Sequence, residues 1–348
     1  MRSNGDRPLR ILTWHVHGNY LFYLTQTPHE FYLPVGRAGN GYAGCAPGFP
    51  WPANVHDVPI DHIESLPLDA ILFQSKTHYL SDQFDLLSES QRRLPTIFLE
   101  HDPPQEHPTN TVHPVDDPDA LLVHVTPFNE LMWDSRRTPT RVIEHGVIVP
   151  QGVGYTGELA KGLVIVNGLR RRGRRLGADV FDRVRAEVPL DLAGMESEEA
   201  GGLGEISHEA LPAFMCRYRF VFNPIRYTSL GLAVCEAMSL GVPIVGLATT
   251  EMVTAVTNGV SGYVDTDVDT LVRRMHELIR DHDHARRLGE GARAAAAARF
   301  SITRFTQQWD RTLRDVVRRH QSRDDSPSTG KSSRPLKNDL LLCNSDIR

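Results

Sequence analysis

The sequence predicts an α/β protein built on two open parallel sheets, and three observations lead there. Short runs rich in Ile, Leu and Val recur along the chain, each bounded by polar residues or proline, which is the pattern of parallel strands buried on both faces. Stretches with helical character lie between them, so strands alternate with helices in both halves. At 348 residues the chain is long enough for two domains of ordinary size.

Composition narrows the class. Hydrophobic residues make up 40% of the chain and charged residues 23%, enough to bury a core. The net charge of -5, with arginine patches offset by Asp and Glu, argues against nucleic acid as a partner. Cys45, Cys216, Cys235 and Cys343 lack paired spacing, so neither a disulfide frame nor a zinc site is expected, and a reducing cytoplasm fits best. The start, MRSNGDRPLRIL, carries no long apolar segment, and no apolar run reaches the length of a bilayer span. Any membrane contact is therefore expected to be peripheral.

In the first half, ILTWHV after Arg10 reads as a strand that turns at His17-Gly18-Asn19 into the helix start LFYL, and Gly18 would let a ligand come close. Phe31 to Val35 is a second strand. The Gly- and Pro-rich stretch 36–52 is a long loop, functional or disordered. Further strands are expected at Ala70–Phe73, Thr96–Leu99, Leu121–Val125 and Arg141–Ile143. The Thr96 strand runs into Glu100-His101-Asp102-Pro103-Pro104. His101 thus falls at a strand's carboxyl end, either as a turn residue or facing the crevice where open sheets bind ligands.

The passage VPQGVGYTGELAKG reads as a linker, after which LVIVNG opens a new sheet at Leu163. Behind that strand stand Arg170, Arg171, Arg172, Arg174 and Arg175, ahead of a helix starting near Gly177. Such a run is either a solvated face or, at a strand-to-helix loop, a phosphate clamp of bidentate guanidinium groups. Leu190–Ala193 is the next strand, and Ser207 can cap the helix that follows. From Arg219 to Gly246 the order is strand, polar turn, small apolar helix, strand. Within that helix Glu236 is flanked by Ala233, Val234, Cys235, Ala237 and Met238, with no cation within one turn. A buried carboxylate is costly unless it is matched. Either a distant base neutralises it, or it meets a ligand's hydrogen-bond donors just behind a helix N-terminus suited to anions. Asp269 and Ser301 are expected to cap the last helices, the final one placing Ile302, Phe305, Trp309, Leu313, Val316 and Val317 on one face. Residues 321–348 read as a disordered tail.

From Gly204 onward, GEISHEALPAFMCRYRFVFNP, PIRYTSLGLAVCEAMSLGVPIVG and NGVSGYV follow the order of elements in nucleotide-sugar glycosyltransferases. The chain resembles that GT-B group, most closely its retaining family 4 members. The likeness is close from about Leu163 to His320 and holds in outline before that. It implies two Rossmann-like domains facing across a cleft, with residues 1–150 binding acceptor, 151–300 binding donor, and a helix at 301–320 crossing back to the first domain. Glu236 matches the second glutamate of the family's Glu-x7-Glu pattern, which hydrogen-bonds the donor ribose. The first glutamate falls at Thr228, a neutral residue that with Ser229 can hydrogen-bond sugar or phosphate. Ser229, Leu230 and Gly231 would offer amides to the diphosphate. The family's diphosphate-binding cations align with Arg175 and Arg170, where fixed positive charge stabilises the leaving group. His101 resembles the first-domain histidine near the reacting centre, and Gly18 the glycine loop after the first strand. Transfer of a sugar from a nucleotide diphosphate sugar to a carbohydrate or other hydroxyl acceptor is implied, retaining, with no cofactor and no metal. A nucleotide-sugar epimerase on the same fold and a non-catalytic nucleotide-sugar-binding subunit are the alternatives. His15 and His17 alternate at a strand end but are read as packing residues rather than metal ligands. Asp281 to His284 is read as a solvated helix junction.

Overall fold

Strand order, rather than strand content, sets where each half of this molecule can bind anything. The computed structural model describes residues 7–324. Contacts divide the described residues into two units: one holds residues 7–124, 132–143 and 306–324, and the other holds residues 125–131 and 144–305.

The first unit is a seven-stranded parallel sheet. Its strands are β1 (Arg10–Thr13), β2 (Glu30–Val35), β3 (Val55–Pro59), β4 (Ala70–Phe73), β5 (Thr96–Glu100), β6 (Leu121–His124) and β7 (Thr140–Val142), in the order β3-β2-β1-β4-β5-β6-β7. β4 and β6 are buried at every position, as their unbroken apolar runs require. The sequence reading lacks β3, since VHDVP alternates polar residues and lies at the sheet edge, where one partner suffices. Helices α1 (Gly18–Leu24) and α2 (Gln83–Leu86) connect these strands.

The second unit starts with α3 (Pro127–Met132) and continues with β8 (Leu159–Ile165), α4 (Leu169–Arg172), α5 (Ala178–Arg185), β9 (Leu190–Ala193), α6 (Leu211–Cys216), β10 (Tyr218–Asn223), α7 (Leu232–Leu240), β11 (Ile244–Leu247), α8 (Met252–Ala255), β12 (Gly262–Asp265), α9 (Val268–Arg280) and α10 (His282–Arg299). Its parallel sheet has the order β12-β11-β10-β8-β9. β8 starts four residues before the expected Leu163, so the linker is shorter than its glycines suggest: Leu159 already pairs with Tyr218. Asp267, not Asp269, caps α9, accepting from the amides of Asp269 and Thr270. Asp281 ends α9 and caps α10 through the His284 amide, as a solvated junction should.

The last helix, α11 (Ile302–Asp324), carries buried Trp309 and Leu313 on the expected face. Trp309 Nε1 donates to Tyr20 Oη at 3.1 Å, and Arg141 donates to Thr312 Oγ1 at 2.7 Å. The helix runs four residues past His320, so positions 321–324 are ordered helix rather than tail. The remainder of the expected tail, with Cys343, lies outside the described residues. Among the described residues no helix is long and apolar enough to cross a membrane.

The 36–52 loop is tied down. Cys45 N–H donates to Asp57 Oδ1 at 2.6 Å, Trp51 Nε1 to Ala46 O at 2.8 Å, and Tyr42 Oη to Asp82 Oδ2 at 2.5 Å.

Two buried rings make this fold acid-sensitive. Burial lowers His29 to about 4 and His124 to about 3, outweighing Asp310 at 3.2 Å from His29. Leu9 N–H donates to His29 Nδ1, which therefore carries a lone pair. Both rings fold uncharged, so the unfolded chain binds their protons first. Their contribution is present above pH 6.5 and is lost as pH falls toward 3–4, roughly 3 kcal/mol for a displacement like that of His29. Urea midpoints should start to fall near pH 6.5. His124→Leu, which removes a ring with no hydrogen bond among the described residues, should flatten that fall. An unchanged pH slope in the variant would refute this.

Candidate functional site

In an open α/β sheet the crevice opens where strand order reverses, beyond the carboxyl ends of the two central strands. In the second unit that point lies between β8 and β10, so the arginine run after β8 and the turn Pro224–Gly231 after β10 face the same crevice. The two loops are joined directly. Arg226 and Tyr227 amides donate to Arg175 O at 3.0 and 3.3 Å, and Arg226 Nη1 donates to Arg174 O at 2.8 Å. Gly177 permits the approach: its φ is +80°, and a Cβ there would lie 1.9 Å from Pro224 O.

The arginines are not equivalent. They occupy α4 and a following tight turn instead of an open loop. Arg170 grips Asp182 with both arms, at 2.6 and 2.8 Å, holding that carboxyl below the usual range. Arg171 pairs with Glu196 at 3.0 Å, and Arg174 with Asp179 at 2.5 Å. Arg226 also holds Asp179, whose carboxyl is lowered chiefly by that bond. Arg175, half-buried, makes no side-chain hydrogen bond or ion pair among the described residues. Of the two cations singled out from sequence, only Arg175 keeps its guanidinium uncommitted.

The turn into α7 presents backbone donors. The amides of Thr228, Ser229, Leu230, Gly231, Leu232 and Ala233 find no acceptor among the described residues, and no side chain caps α7. A Cβ on Gly231 would meet nothing within 4 Å, so the space before the helix is open. Such a row of N–H groups at a helix N-terminus can receive an anion. Thr228 lies half-buried in this turn, beside Tyr227, whose buried hydroxyl has no partner among the described residues. Glu236 sits on the second turn of α7 and is 8% exposed, as its apolar flanks predict. Neighbouring Cys235 is fully buried, and burial pushes its thiol well up, so it is no nucleophile.

The first unit has its own reversal point, between β1 and β4. His101, after β5, has its Nε2 2.9 Å from Gln74 Oε1. The Gln74 amide nitrogen donates to Thr13 Oγ1 and Trp14 O, which leaves its oxygen toward His101 and makes Nε2 the protonated nitrogen. The His17 and Tyr20 rings pack against His101, with centroids 4.2 and 4.8 Å away. The close approach at Gly18 is taken by the protein itself: a Cβ there would meet Phe49 of the 36–52 loop at 2.8 Å. His15 belongs to the same packing, its Nδ1 donating to Gly44 O at 2.6 Å and Trp51 standing edge-on to its ring.

Sequence reasoning missed a group of long-range partners. Arg299, at the end of α10, bridges Glu144 and Glu251, each at 2.5 Å. Glu251, 2% exposed, also accepts from Phe128 N–H at 3.0 Å. His145 Nε2 donates to Leu230 O at 2.8 Å. Each of these contacts joins residues at least 48 positions apart in the chain, and no local pattern marks them.

Residues 197–295 match the sequence model of the family glycosyl transferases group 1. That segment holds β10, α7 and the whole turn between them. No curated protein sequence matches the chain. Among solved structures, sucrose-phosphate synthase from Thermosynechococcus elongatus superposes with a TM-score of 0.63 at 15% identity, covering 89% of this chain and 100% of that one. HepE from Anabaena, solved in complex with UDP, gives 0.60 at 14%, covering 88% and 100%. A glycosyltransferase from Rickettsia africae gives 0.63 at 10%, covering 90% and 99%. These likenesses establish the shared fold, two Rossmann-like α/β halves of the GT-B kind.

Arg299 makes this region testable as structure. Arg299→Met would strand two carboxylates, one of them buried. The cost of leaving such charges without their partner is about 3 kcal/mol. Urea denaturation should show an unfolding free energy lowered by about that amount, and an unshifted midpoint would show that the clamp carries no load.

Proposed function

We propose that this protein is a glycosyltransferase that moves a sugar from a nucleotide diphosphate sugar to an acceptor hydroxyl, with retention and without a metal. The observation that carries the reading is the row of unfilled amides at 228–233 beside the uncommitted Arg175 at one strand-order reversal. The amides would take the diphosphate of the donor and Arg175 the charge that grows on it as it leaves. Glu236 would accept hydrogen bonds from the ribose, and Thr228 and Ser229 would give neutral hydrogen bonds to sugar or phosphate. His101 keeps the role that the family resemblance assigns it, a contact to the donor sugar. A uridine nucleotide is the first donor to test, because the HepE neighbour was solved with UDP-glucose.

Chemically, the bond from the anomeric carbon to the diphosphate oxygen breaks while the acceptor oxygen bonds to the same face. The acceptor's proton passes to the departing diphosphate, so no protein nucleophile is needed. Thr228, neutral where the family pattern has an acid, favours one second reading, a subunit that binds nucleotide sugars without turning them over. The isolated thiols of Cys45, Cys216 and Cys235 support a cytoplasmic setting.

Incubation with UDP-, GDP- and ADP-sugars and a panel of hydroxyl acceptors should release the nucleoside diphosphate and a new glycoside with the donor's anomeric configuration. Donor binding without release would favour the binding subunit, and conversion of the nucleotide sugar without acceptor would favour an epimerase. Arg175→Ala should lower turnover at least ~100-fold, the scale of one lost transition-state charge donor. Arg170→Ala should cost less, because Arg170 must first leave Asp182. Wild-type turnover in the Arg175 variant would sink the assignment.

A further inference from the structure

Two consecutive carbonyls of the turn into α7 are held from behind. Thr250 Oγ1 donates to Ser229 O at 3.3 Å, and His145 Nε2 donates to Leu230 O at 2.8 Å. A carbonyl can only accept, so Nε2 carries the proton in this contact. In a trans peptide the C=O and the following N–H point in opposite directions. Fixing Ser229 O therefore aims the Leu230 N–H away from Thr250, and fixing Leu230 O aims the Gly231 N–H away from His145. Those two amides are the middle of the row that finds no acceptor among the described residues.

Both pins are themselves restrained. Thr250 has φ +50°, a left-handed conformation that a β-branched residue adopts only when its surroundings enforce it. Thr249 Oγ1 bonds Ile225 O on one side of it at 3.0 Å, and Glu251 is locked on the other. His145 follows Glu144, and Arg304 Nη2 donates to the carbonyls of Glu144 and His145 at 2.8 and 2.7 Å. Arg299 joins the neighbours of the two pins, since Glu144 and Glu251 share its guanidinium.

We propose that His145 is a positioning residue that sets the Leu230 and Gly231 amides to receive the diphosphate of a nucleotide, with Thr250 as the second pin. The inference rests on the nucleotide-site reading above and deepens it, because it assigns phosphate recognition to a side chain acting through a carbonyl.

The test measures the full chain with UDP by calorimetry and with uridine by saturation-transfer NMR, which reads weak binding. His145→Ala should weaken UDP about tenfold, the scale of one lost hydrogen bond, and leave uridine binding unchanged. His145→Gln, which returns an N–H donor on a side chain of similar reach, should recover most of the affinity. Thr250→Val should weaken UDP in the same phosphate-selective way, and it carries the test if His145→Ala does not fold. Equal losses for UDP and uridine would show a merely structural role and overturn the proposal, as would unaltered UDP binding in both variants. If the wild-type chain binds none of UDP, GDP or ADP, the nucleotide reading itself fails, and the positioning role falls with it.

Discussion

Arg299 sharing its guanidinium between Glu144 and Glu251 is the interaction on which the second unit's crevice depends. It closes three distant segments on one another: the entry into the unit after β7, the turn after β11 and the end of α10. Its charges are largely removed from water, so the geometry must be kept or a desolvated carboxylate is left behind. That makes it a constraint on position more than a source of stability. The residues next to the two carboxylates, His145 and Thr250, are the ones that reach the turn into α7.

Topology then decides what those positions can do. Both sheets reverse their strand order once among the described residues, at β1/β4 and at β8/β10. At β1/β4 the chain's own rings pack around the crevice end, with Phe49 against Gly18 and Trp51 against His15. At β8/β10 six backbone donors and the Arg175 guanidinium find no partner among the described residues. One architecture, built twice, has been finished in opposite ways, once by aromatic packing and once by polar groups left waiting.

Much of this was legible in the sequence, and the limits have physical reasons. Central strands such as Ala70–Phe73 and Leu190–Ala193 were readable because burial on both faces demands an unbroken apolar run. Val55–Pro59 was not, since an edge strand needs neither continuous hydrophobicity nor two partners. Burial of Glu236 followed from its apolar flanks, and the turn before α7 from its strand-to-helix setting. The arginine run could be located but not resolved: which guanidinium is committed depends on Asp182, Glu196 and Asp179 coming close in space. His145, Glu251 and Arg299 were invisible because their contacts join positions far apart, and each residue alone looks like an ordinary loop or helix-end residue.

The open donors before α7 belong to the main chain, and that has a consequence for change over time. An amide N–H has no titratable proton across the physiological range and survives every side-chain replacement except proline. A receptor assembled from such groups holds its polarity while the residues around it drift. Thr228 can therefore vary in side chain without disturbing its own amide or the five donors that follow it, and the side chains of that turn are left free to diversify over an unchanging row of N–H groups.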